Sequence, residues 1–141
     1  MCHPLVLGSV EPLPILQYTP DRHDETDGHI YVDSLDKAAS YDSQVIFSTR
    51  FLYYISTRHT GDACGFSGDY DEAESARREL AAFLERSLEI CADLQLFVAF
   101  TDYGDSGVVP SRFDYVGPSD IRTWMTGFTP GDFFQVIREV V

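Results

Sequence analysis

Positive charge is scarce in this chain: ten Lys and Arg stand against 23 Asp and Glu, for a formal net charge of −13 over 141 residues. The ten bases are spread without a run, so nothing in the sequence could track a phosphate backbone or an anionic bilayer, and both classes of partner are disfavoured. Cysteine is sparser still. Cys2, Cys64 and Cys91 are too few and too widely spaced for a disulfide framework or a CxxC metal knuckle, which points to a reducing compartment. No apolar run approaches the ~18 to 20 residues a membrane-spanning helix needs. Residues 1–8 carry no basic leader, and Pro4, Pro12 and Pro14 interrupt the apolar character around them. A soluble cytoplasmic protein is expected.

Motifs that would announce catalysis are also missing. There is no GKS or GKT, no GxGxxG and no GxSxG elbow. The glycine-rich loop at 61–68 runs into a helix start, as a phosphate cradle would, but Asp69, Asp71 and Glu72 occupy the positive end of that helix and would repel a phosphate. Cys64 and His59 could be read as a nucleophile and its base. A catalytic thiolate needs positive surroundings, and Asp62, Asp69 and Asp71 supply the opposite. Asp21, His23, Asp24, Asp27 and His29 hold suitable metal-ligating atoms, yet their spacing matches neither an EF-hand nor a zincin, so a solvated acidic loop is the simpler reading. Asp102 and Asp105 read as turn formers beside Gly104. No cofactor is implied, and no residue is assigned a catalytic role.

What the chain does have is apolar side chain. Hydrophobic residues make up 44% of it, with ten Phe, eight Tyr and one Trp, far more than a disordered acidic segment carries. A chain of this length falls within the usual size of one domain, so 1–141 is read as a single α+β domain. The prolines at 4, 12, 14 and 20 and the polar run 21–28 make residues 1–28 read as extended chain and loop, with a candidate edge strand at 13–18. Residues 29–33 read as a strand. Alternation from 44 to 57 gives one apolar face, long enough for a bent strand or a hairpin.

The spacing of Ala73, Ala76, Leu80, Phe83, Leu84, Leu88 and Cys91 predicts a long amphipathic helix over 70–91, with Asp69 as its cap and Glu72 completing a capping-box pair. Arg77, Arg78, Glu79, Glu85, Arg86 and Glu89 fall mostly off that stripe. Residues 94–101 are apolar on both faces, as in a central strand, and 112–116 read as another strand. Pro118, Ser119 and Asp120 open a short helix reaching about 126, and a last strand begins at 132. The expected fold is α+β: a mixed, mainly antiparallel sheet of about five strands, with the long helix on one face and the short second helix beside it.

The acids are concentrated. Residues 1–42 hold eight acids and two bases, and 59–76 hold five acids and no base. Part of this serves solubility. The rest points to a binding or inhibitory protein of the immunity-protein or nucleic-acid-mimic kind, docking a basic protein partner through Asp21, Asp24, Glu25, Asp27, Asp62, Asp69, Asp71 and Glu72, with Tyr54 as an aromatic anchor. Two other readings stand beside it: an enzyme or small-ligand domain with a pocket near the 57–70 loop, and a homo-oligomeric module joined through exposed strand edges.

Overall fold

A computed structural model describes residues 5–15, 30–34, 51–57, 63–98, 112–124, 128–129 and 131–138, with Ala63 and Cys64 in backbone only. Six strands form one mixed sheet: β1 (Leu5–Ser9), β2 (Ile30–Ser34), β3 (Phe51–Thr57), β4 (Leu94–Val98), β5 (Arg112–Val116) and β6 (Asp132–Val136), in the order β2-β3-β1-β4-β6-β5. Every pairing is antiparallel except β5 with β6. That parallel pair is joined through residues 117–131, a connection long enough to cross back over the sheet and to include a short helix, α2 (Pro118–Arg122). The long helix, α1 (Asp71–Ile90), follows a short 3-10 turn at Ala63–Phe66. The α+β class, the mainly antiparallel sheet and both helices are those the sequence predicts.

The heart of the sheet differs from the reading of residues 1–28 as extended chain and loop. Leu5–Ser9 is a central strand, paired with β3 on one side and β4 on the other. It escapes period-two detection because Leu5, Val6 and Leu7 are all fully buried, so neither face is polar. Leu13–Ile15, by contrast, are outside any strand, and the remainder of the 13–18 candidate lies outside the described residues. Residues 51–57 of the long alternating segment form β3, and 44–50 are likewise outside. The short helix ends at Arg122, earlier than expected.

Helix α1 lies on one face of the sheet. Its buried residues Leu80, Phe83, Leu84 and Leu88 share a core with Leu5, Leu7, Val32, Tyr53, Ile55, Leu96 and Phe134. Removing each large apolar side chain from water contributes about 1.5–3 kcal/mol, which outweighs the modest intrinsic preference of the helix itself. Trp124 and Phe128 extend the core over β6, with Trp124 edge-on to Phe134 at 5.1 Å. The opposite face of the sheet carries Val6, Leu52, Phe97 and Phe133, also buried.

Candidate docking surface

The N-terminus of α1 is built on a buried arginine. The sequence reading leaves Arg77 off the apolar stripe, but it is only 3% exposed. Its Nη1 donates to the carbonyls of Phe66 and Gly68, each at 2.7 Å, so the guanidinium staples the incoming loop to the second turn of the helix. Nε has no hydrogen-bond partner. Gly68 adopts φ +99°, and a Cβ there would stand 2.9 Å from the Tyr70 ring, so the bend requires glycine. The loop is thereby turned so that residues 69–72 emerge at the helix start.

Asp69 does not cap the helix as expected. Tyr70 holds the N-cap position, without a side-chain cap bond, and Asp69 lies one residue outside. The carboxylates of Asp71, Glu72 and Glu74 act instead through the field at the positive end of the helix, which favours negative charge there. Asp69, Asp71 and Glu72 are exposed, and among the described residues none of the three has an ion-pair partner. Glu74 meets Arg78 at 3.6 Å, one turn away and largely solvated. The result is three closely spaced carboxylates at the helix start, unpaired among the described residues, with Tyr70 exposed among them.

The other sequence candidates divide into two groups. Tyr54 is half-buried on β3 opposite Val6 and Asp33, on the face of the sheet away from α1, so it is not brought together with Asp69, Asp71 and Glu72. Asp21, Asp24, Glu25, Asp27 and Asp62 lie outside the described residues, as do Asp102, Asp105, His23, His29, His59 and the Cys64 side chain. Among the described residues no three His, Cys, Asp or Glu side chains gather in a way that could hold a metal ion. Among the described residues no helix is long and apolar enough to cross a membrane.

At the far end of α1, a cleft of about 290 Å3 is lined by Glu85, Leu88, Glu89, Pro118 and Arg138. Its only cation among the described residues is committed: Arg138 Nη2 donates to the Leu88 carbonyl at 2.8 Å, supplying the positive charge that the last turn of α1 lacks. Nearby, Cys91 follows the last helical residue. Burial pushes its thiol up, while hydrogen bonds from the Asp93 amide, the Ser9 hydroxyl and the Val10 and Glu11 amides outweigh that and hold it below its ordinary value. Cys91 is 5% exposed, which fits a structural thiol rather than a nucleophile.

A second surface lies outside the candidate site residues named from the sequence. On edge strand β5, Phe113 and Tyr115 are 59% and 62% exposed and meet edge to face at 5.8 Å. Phe113 also stacks on Phe133 at 5.5 Å, and Phe133 contacts Phe97, so an aromatic row crosses from β4 to the edge of the sheet. On the other face of β5, Arg112 lies over the Phe134 ring and reaches Asp114 at 3.3 Å. The Tyr115 amide and the Arg112 guanidinium hold the Asp114 carboxyl below the usual carboxylate range.

No family model matches the chain, and comparison with curated proteins and with solved structures finds no match.

Proposed function

We propose that this chain is a small binding or inhibitory protein that docks a basic protein partner through the acidic N-terminal end of α1. The observation that carries the reading is the set of three exposed carboxylates, Asp69, Asp71 and Glu72, without an ion-pair partner among the described residues, where a loop stapled by Arg77 enters the helix. Charges presented on a rigid element lose little freedom on binding, and a surface of one sign speeds the approach of a partner of the other. The net charge of −13 acts in the same direction at longer range. A reaction centre has no comparable support, because the cleft at the other end of α1 already uses its arginine structurally.

The test is retention of basic proteins at low and high salt by two charge-matched variants. Asp71→Asn/Glu72→Gln removes two carboxylates from the proposed site, and Glu11→Gln/Glu89→Gln removes two exposed ones from the opposite end of the helix. Binding that weakens with salt, falls about tenfold in the first variant and persists in the second supports the reading. Equal loss in both variants would reduce the interaction to nonspecific charge.

A further inference from the structure

We infer that the open edge of β5 is a self-complementary strand that pairs, antiparallel, with β5 of a second copy of this chain about a two-fold axis at Phe113. β5 is the last strand of the sheet, with none beyond it among the described residues. Its Arg112 amide donates to the Gly131 carbonyl, and its Val116 carbonyl accepts from Ile137, so the even-numbered residues face β6. By alternation, the amide and carbonyl of Phe113 face the open side. The neighbouring outward amide, that of Tyr115, is covered by Asp114 Oδ1 at 2.8 Å. Among the described residues, that cover leaves Phe113 as the open station in the strand. An uncovered edge of this kind is a template for another strand.

The occupant is argued from charge and register. In an antiparallel pair centred on Phe113, the two Phe113 residues exchange hydrogen bonds, and Arg112 of each copy stands directly opposite Asp114 of the other. Directly opposed residues of this class lie closest of all cross-strand pairs, and opposite charges there are favourable. The contact of Arg112 with Asp114 within one copy, at 3.3 Å and half-solvated, becomes a reciprocal pair between copies. On the other face the two Phe113 rings, each backed by Phe133, come side by side and cover exposed aromatic surface. A pair centred on Asp114 would instead oppose like charges. Two copies of charge −13 repel at long range, so this association tightens as salt is added. Docking of a basic partner has the opposite salt dependence.

Sedimentation equilibrium over a wide concentration range, at low and high salt, tests the inference. The expected result is a reversible dimer favoured by salt. Arg112→Asp alone and Asp114→Arg alone each oppose like charges twice across the axis and weaken it about tenfold or more. An equimolar mixture of the two variants, and the double exchange in one chain, both restore the dimer, which shows that the single variants are folded. A chain that stays monomeric throughout overturns the inference, as does a dimer indifferent to either substitution or one that the mixture fails to restore. A monomer whose edge takes up a lysine-rich strand peptide, with loss in Phe113→Lys, also overturns it and assigns the edge to a heterologous strand.

Discussion

At the scale of single residues, Arg77 decides how the acidic end of α1 is presented. A buried guanidinium with only carbonyl partners is tolerated because its two short hydrogen bonds satisfy a loop that would otherwise leave both oxygens unpaired. Arg77→Met keeps an unbranched apolar stem and removes the staple. It is expected to lower stability by about 2–3 kcal/mol in urea unfolding, and to weaken partner docking although no acid has changed. Cys91 provides a pH test. Its folded-state pKa lies below the ordinary thiol value of 9.0, so the unfolded chain binds more protons between those two values. Stability conferred by the thiolate is therefore fully present above pH 9 and is lost as pH falls through the folded value. Unfolding midpoints of the wild type and Cys91→Ala, measured across this window, are expected to diverge as pH rises, with the wild type gaining.

Among elements, α1 was the most legible in the sequence, since an apolar stripe repeating at three and four residues has one reading when it lasts five turns. β5 was equally clear in its bounds. β1 was not, because a strand buried on both faces carries no alternation, and the prolines around it drew the segment toward loop. Of the proposed acidic site, the exposure of Asp69, Asp71 and Glu72 was legible in the sequence. The staple beneath them was hidden, because an arginine reads as surface until a loop brings carbonyls to it. The aromatic edge was hidden for a related reason. Phe113 and Tyr115 look like core residues in a list, and only the strand order shows that they end the sheet. The far end of α1 makes its own prediction. Arg138 is the cation serving its last carbonyls, so Arg138→Gln is expected to lower the thermal midpoint by an amount equivalent to about 1–2 kcal/mol, without affecting docking at the opposite end.

For the whole molecule, excess negative charge opposes the compact state and any self-association, yet it favours a partner of opposite sign. The sheet and α1 resist this repulsion through a shared apolar core, and the charges stay outside it, with Arg77 and Asp132 as the buried charged residues among those described. Asp132 accepts the Thr129 amide at 3.1 Å, and Arg77 donates to carbonyls, so each is hydrogen-bonded where it sits. The acidic helix end and the edge of β5 are chemically distinct surfaces. One is a cluster of bare carboxylates and the other an aromatic strand with one charge of each sign. Salt acts on the two in opposite directions, so one titration of ionic strength separates docking from self-pairing.

Docking at the acidic end of α1 is decided by where the contact falls. Amide chemical shifts of the labelled protein, followed by NMR as the retained basic partner is added at low salt, would locate it directly. The expected result is a set of changes centred on residues 68–74 that is lost in Asp71→Asn/Glu72→Gln. Changes spread evenly over all exposed acids, or centred on another element while residues 68–74 stay still, would contradict it.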